Sequence, residues 1–239
     1  MFADISRRYD FLNHFLSLNV DRLWRRRAVK ELEVSGGDQI LDVCTGTADL
    51  ALELAAMVRI ETGGHVFGTD FCPEMVTLGE KKRLRKKEER LTLLVADTLD
   101  LPFAEATFDG VTVAFGIRNV CDLRAGIREM RRVLKPGGRL AILEFATPRT
   151  KWFRSLYGFY FHRVLPRVGR WLAGNPTGAE AYSYLPDSVR EFPRPDAFLE
   201  LLEEEGLSAA RYQLLTGGIA ALHLAARPTE SPELAATSP

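Results

Sequence analysis

Cysteine is scarce in this sequence. Its three cysteines, Cys44, Cys72 and Cys121, are far apart and contain no Cys-x-x-Cys pair. An odd number of scattered thiols excludes a disulfide framework, lacks the ligand spacing of a zinc site, and fits a reducing, cytoplasmic compartment. No apolar run approaches the about 18 residues that a membrane span needs. The first residues hold Asp4, Arg7, Arg8 and Asp10 where a signal peptide has an apolar core, so neither secretion nor membrane spanning is expected. Net charge is zero, which argues against a globally basic nucleic-acid binder and leaves partners to be read from local features, with no handle on oligomeric state. Internal repeats are absent. A chain of 239 residues, 46% of them hydrophobic, is long enough for one well-buried domain and too short for two generous ones.

Glycine is sparse where one class of cofactor would require it. Residues 40–49, Ile-Leu-Asp-Val-Cys-Thr-Gly-Thr-Ala-Asp, form an apolar run carrying Asp42, then a tight Thr45-Gly46-Thr47 turn that opens a helix. A second run, Val66-Phe67-Gly68-Thr69-Asp70, also ends in a carboxylate. In a doubly wound sheet, an acid at the tip of the second strand reaches the ribose hydroxyls of a nucleoside lying over the first turn. Pyrophosphate cofactors want Gly-x-Gly-x-x-Gly, for close backbone approach and a free helix N-terminus. Here Cys44 and Ala48 stand where such glycines would be. One glycine, a hydroxyl at Thr47 and acids on both sides suit a cationic, phosphate-free cofactor. S-adenosyl-L-methionine, with its sulfonium and ammonium, has that character. Asp42, Gly46, Thr47 and Asp70 are therefore candidate cofactor contacts. A plain strand-turn-helix corner is the competing reading of the turn, and Asp70 weighs against it.

The rest of the chain alternates. Strands are expected at 39–43, 65–69, 91–95, 111–114 and 139–145, and helices at 49–58, from Pro73, and at 123–134, the last followed by a Lys135-Pro136-Gly137-Gly138 turn. This pattern predicts a parallel sheet with helices on both faces. Two short apolar runs, 209–215 and 219–225, flank Thr216-Gly217-Gly218 and read as a closing hairpin. By analogy, a mostly parallel seven-stranded sheet with an antiparallel C-terminal edge hairpin is the Rossmann-like α/β architecture of class I methyltransferases. Helix-spaced apolar residues near the start predict a helical N-terminal flap, about 1–35. The polar, proline-bearing stretch 227–239 reads as a disordered tail beyond a domain spanning 1–226.

Two strand ends carry further candidates. Asp97-Thr98 closes the third strand, placed to receive an adenine amino group, with turn capping as the alternative. After the fourth strand comes Ala114-Phe115-Gly116-Ile117-Arg118-Asn119-Val120. An arginine and an amide beside a glycine at this edge are well placed to touch substrate, and a salt bridge is the other reading of Arg118.

Those strings, with Leu41 to Asp49, Asp97 to Phe103, Arg132-Val133-Leu134-Lys135-Pro136-Gly137-Gly138, Tyr9-Asp10, Asn13 and Tyr182-Ser183-Tyr184-Leu185, resemble the menaquinone/ubiquinone biosynthesis C-methyltransferases over nearly the whole chain. The resemblance implies methylation of a ring carbon of a polyprenylated quinol by S-adenosyl-L-methionine. It places Thr47, Asp70, Asp97, Thr98 and Ala114 at the cofactor, Ala114 standing where some members carry serine and so offering no hydroxyl. Cys44, Thr45 and Ala48 are closer to the menaquinone branch, which makes demethylmenaquinol the expected acceptor and a ubiquinone-pathway benzoquinol the alternative. The ring must be the reduced quinol, because a sulfonium methyl is an electrophile. Arg118 is expected to stabilise the phenolate and Asn119 to orient the ring oxygen, while a water, Tyr9 or His162 relays the proton, Tyr9 equally serving to close the flap.

Another lipid acceptor, a catalytically silent membrane adaptor and a nicotinamide dehydrogenase are the competing readings, the last disfavoured by the missing glycines. Between Phe145 and Ala179 there is no acid, and arginines alternate with Trp152, Phe153, Tyr157, Phe161 and Trp171. Such a stretch suits an anionic membrane interface as well as a core-covering helix. It predicts a lid over about 149–192 and peripheral contact with the inner face of the cell membrane through about 149–171.

Overall fold

A computed structural model describes residues 20–148, 150 and 188–229. Period-two patterning builds the sheet. In β1 (Gln39–Val43), Leu41 and Val43 enter one apolar layer and Ile40 the other, as alternate side chains of a strand must. β2 (His65–Asp70), β3 (Leu91–Val95), β4 (Phe108–Ala114) and β5 (Leu134–Phe145) join it in parallel. β6 (Ser208–Leu215) and β7 (Ala220–Ala226) form the expected antiparallel hairpin. The order is β3-β2-β1-β4-β5-β7-β6, so β7 inserts between β5 and β6. Strand order reverses at β1 and β4, and the carboxyl ends of those strands are where an open α/β sheet forms its ligand crevice.

α1 (Asp21–Leu32), α2 (Asp49–Ala55) and α3 (Pro73–Lys86) cover one face, and α4 (Leu123–Val133) and α5 (Pro195–Glu204) the other. Pro73 sits in the first turn of α3, where its missing N–H matters least. Asp122 caps α4 by accepting the Ala125 amide at 2.9 Å. Trp24, Ala28 and Leu32 make one buried stripe of α1. The Trp24 indole N–H donates to Thr216 Oγ1 at 2.8 Å, and its ring lies 6.1 Å from Phe115. Gly110 lets this helix approach the sheet, since a Cβ there would stand 3.1 Å from Leu32 Cδ2. The described part of the expected flap is thus a core helix, its apolar stripe covered by β5 and β7. Tyr9, Asp10, Asn13 and the rest of 1–19 lie outside the described residues, as do His162, most of the expected lid, the Tyr182-Ser183-Tyr184-Leu185 string, and 230–239.

Three local expectations change. β5 begins at Leu134 instead of Arg139, because the Pro136-Gly137-Gly138 turn is absorbed as an irregularity opposite Phe108 and Gly110, with Gly137 at φ +77°. β4 begins at Phe108 instead of Val111, and the link that leads to it from β3 holds no helix among the described residues. The Arg132 guanidinium fixes it instead, donating to the carbonyls of Phe103 at 2.8 Å and Leu101 at 3.0 Å. Arg227, expected to begin the tail, is fastened to the domain. It donates to the carbonyls of Arg132 at 3.0 Å and Leu134 at 2.8 Å and pairs with Glu105 at 2.7 Å.

Candidate functional site

The first turn is held by acids. Asp42 is buried, and its oxygens accept the hydroxyls of Thr45 at 2.6 Å and Thr112 at 2.7 Å. Desolvation outweighs those bonds and pushes the carboxyl up to about 6. Asp70 Oδ2 accepts the Gly46 amide at 2.8 Å and Oδ1 the Cys72 amide at 2.9 Å, tying the tip of β2 to the turn after β1. Burial raises this carboxyl too. Cys44 (φ 52°) and Ala48 (φ 66°) adopt left-handed backbone without being glycine, an unfavourable conformation that tertiary contacts must sustain.

Asp42 has a consequence for stability. Its folded value lies above the unfolded one, so between the two the folded chain binds the extra proton and stability falls as pH rises. Asp42→Asn removes that dependence. In urea titrations from about pH 4 to about pH 7 the variant should gain about 2 kcal/mol on the wild type. Parallel curves for the two proteins would show that Asp42 is not buried as described.

The turn, β2 and the loop after β4 enclose a cleft of about 290 Å³. Gly46, Asp70 and Phe71 line it together with Asp97, Thr98 and Leu99 and with Gly116, Asn119 and Val120. Gly116 is required there, because a Cβ would come within 2.3 Å of Cys44 Cβ. Cys44 Sγ in turn lies 3.4 Å from Thr98 Oγ1. Two carboxylates line the cleft, and no lysine, arginine or histidine is among the described lining residues. Such a field favours a cation and repels a diphosphate. Met75, Leu99, Val120 and the ring of Phe71, a residue 74% exposed, offer apolar surface for a base.

The structure therefore brings Gly46, Asp70, Asp97, Thr98 and Asn119 around one cleft. Asp42, Thr47 and Ala114 line a narrow adjoining one with Arg25, Asp49 and Phe115. Thr47 Oγ1 there accepts from Lys82 Nζ at 2.8 Å.

Arg118, expected to stabilise the phenolate and with a salt bridge as its other reading, is found in such a bridge. It sits in the short 3-10 turn Ile117–Asn119, only 7% of its side chain exposed, with Nη1 2.7 Å from Glu144 Oε1. Nη1 also donates to the Phe115 carbonyl, and Nε donates to Ser188 Oγ at 3.3 Å. The guanidinium stands 5.6 Å from the Phe145 ring centroid. Its charge is met by Glu144 and does not line the acidic cleft. Burial raises the Glu144 carboxyl, and Arg118 opposes that rise. Sequence reasoning missed Glu144, whose one signal is an acid inside the buried run Ala141-Ile142-Leu143-Glu144-Phe145. It also missed Phe71, Met75, Leu99 and Val120, which look like ordinary core residues.

All three cysteines line the cleft. Burial pushes the Cys44 thiol up to about 12, while Cys121 is exposed. In the folded protein iodoacetamide should label Cys121 first and leave Cys44 unmodified. S-adenosylhomocysteine should slow the Cys121 reaction. Peptide mass spectrometry reads both, and labelling of Cys44 at the Cys121 rate would contradict this geometry.

A parallel sheet closed by an antiparallel hairpin, with a cation-accepting nucleoside cleft at the switch in strand order, defines a class I S-adenosylmethionine-dependent methyltransferase. Solved structures share the fold. An S-adenosylmethionine-dependent methyltransferase from Aquifex aeolicus superposes with TM-score 0.63 at 20% identity, covering 85% of this chain and 89% of that one. Haemonchus contortus phosphoethanolamine N-methyltransferase 2, in complex with S-adenosyl-L-methionine, gives 0.62 at 15% identity over 86% of this chain and 52% of that one.

The chain belongs to the ubiE/COQ5 methyltransferase family, which it matches over residues 1–227, and its methyl donor is S-adenosyl-L-methionine. It is 48% identical to the ubiquinone/menaquinone biosynthesis C-methyltransferase UbiE of Geobacter sulfurreducens, over 93% of this chain and 85% of that protein. It is 45% identical to the demethylmenaquinone methyltransferase of Thermus thermophilus, over 95% of this chain and 100% of that protein.

Proposed function

We propose that the protein methylates a ring carbon of a polyprenylated quinol, converting demethylmenaquinol to menaquinol. The observation that carries this reading is the acidic cleft, walled by Gly116, Asn119, Val120 and Cys121 and with no cation among its described lining residues, in a chain that matches relatives named for this chemistry along nearly its full length. When bound, S-adenosyl-L-methionine supplies an electrophilic methyl on a sulfonium. Asp70 takes the ribose hydroxyls, and Asp97 with Thr98 takes the adenine amino group. Asn119, which lines the same cleft, orients the ring oxygen of the reduced acceptor, whose phenolate makes the neighbouring carbon nucleophilic.

Arg118 is a positioning residue in this scheme. Paired to Glu144 and bonded to the Phe115 carbonyl, it fixes the loop that carries Asn119. The phenol proton leaves through a water, Tyr9 or His162 unless Tyr9 serves only to close the flap, and the aromatic and basic segment about 149–171 contributes peripheral contact with the membrane that holds the acceptor; Tyr9, His162 and nearly all of that segment lie outside the described residues.

The test uses purified protein, labelled S-adenosyl-L-methionine and short-tailed demethylnaphthoquinol and benzoquinol acceptors, each with and without reductant. Methyl incorporation only under reduction, with the naphthoquinol preferred, is the expected result. No incorporation into either quinol while the cofactor still binds would overturn the acceptor assignment.

A further inference from the structure

The helical face beside the site carries charge that the methyl-transfer scheme leaves unused. α1 presents Arg22, Arg26 and Lys30 to solvent across an open groove of about 730 Å³ that Lys86, at the end of α3, also lines. The acids of this groove are already engaged. Asp49 lies 2.7 Å from Lys82, Glu53 lies 3.7 Å from the buried Arg25, and Glu33 pairs with Arg139 at 2.8 Å. The four exposed cations form no ion pair among the described residues. Cations outnumber acids along the groove, in a chain whose net charge is zero. Apolar side chains stand among them, with Met57 in the groove 50% exposed and Leu23 on α1 61% exposed. Arg25 and Asp49 line both this groove and the narrow cleft of Thr47 and Ala114, so the groove opens beside the cofactor turn.

We infer that this groove docks the protein on an anionic phospholipid bilayer. Exposed basic side chains interspersed with apolar ones match a negatively charged headgroup surface, and each cation near such a surface adds to the attraction until salt screens it. Single-stranded nucleic acid fits less well. Its binding grooves pair cations with exposed aromatic platforms, whereas no aromatic lines this groove and Trp24 on α1 is buried. The inference deepens the proposed function, since an acceptor dissolved in a bilayer must be met at its surface, and the groove places that surface next to the cofactor turn.

The test is co-sedimentation of the full chain with phosphatidylcholine vesicles and with vesicles containing about one-third phosphatidylglycerol. Binding to the anionic vesicles should be about tenfold tighter and should weaken as salt is raised. The variant Arg22→Glu/Arg26→Glu/Lys30→Glu/Lys86→Glu should fall to the phosphatidylcholine level while methylating a short-tailed, water-soluble quinol as the wild type does. The charge-retaining Arg22→Lys/Arg26→Lys/Lys30→Arg/Lys86→Arg should sediment like wild type.

Equal sedimentation of the glutamate variant, no preference of the wild type for anionic vesicles, or displacement from them by a lower concentration of single-stranded oligonucleotide would each overturn the inference. Charge-dependent sedimentation without methyl transfer to any quinol would uphold the surface and overturn only the proposed function.

Discussion

Glu144→Ala should lower the stability of the fold by about 3 to 5 kcal/mol, because it leaves a buried guanidinium without a countercharge. The Glu144 and Arg118 side chains are 1% and 7% exposed, so water cannot substitute for the lost partner. In a chain of this size that is a fall in midpoint temperature of roughly 10 °C. Cofactor binding should weaken with it, since Arg118 holds the carbonyl of Phe115, a residue at φ 59°, and the loop that follows walls the cleft.

Arg118→Met/Glu144→Leu separates the two roles. Replacing both charges with apolar groups should recover most of the stability. Activity should stay low, because the loop has lost its tether. Urea denaturation and cofactor calorimetry read the two effects, and wild-type stability in Glu144→Ala would refute the buried pair.

Asp70→Asn should weaken binding of S-adenosyl-L-methionine by roughly 30- to 150-fold, the equivalent of losing about 2 to 3 kcal/mol of charge-assisted hydrogen bonding. S-adenosylhomocysteine, which has the ribose but no sulfonium, distinguishes the causes. Equal losses for both ligands would place Asp70 on the ribose. A loss confined to the cationic ligand would make its field the main contribution. Unchanged affinity for both would remove Asp70 from the cofactor site.

Much of this molecule is legible in its sequence. The apolar run that carries Asp42 marks β1, and the acids at the strand tips mark the cleft rim. The Thr216-Gly217-Gly218 turn marks the terminal hairpin. Pro73 marks a helix start, since a first turn does not need the N–H that proline lacks. Other features resist such reading. Residues 134–138 look like a plain turn, yet they belong to β5 because Leu134 pairs with Phe108 before Gly137 bends the chain. The stretch 21–32 is helical as its apolar spacing suggests, yet instead of belonging to a flap it is a core helix whose Trp24, Ala28 and Leu32 pack onto strands far along the chain.

What the sequence by itself determined are the elements, their order and the acidic character of the cofactor turn. Each of these depends on residues within one or two turns of chain, where apolar periodicity and backbone preference act locally. Only the tertiary structure decided which charges remain available. Arg118 and Glu144 become partners because β4 and β5 align in parallel, with Ala114 opposite Leu143, and bring the two strand ends together. Charge compensation depends on distance in space, and that distance is set once the sheet has formed.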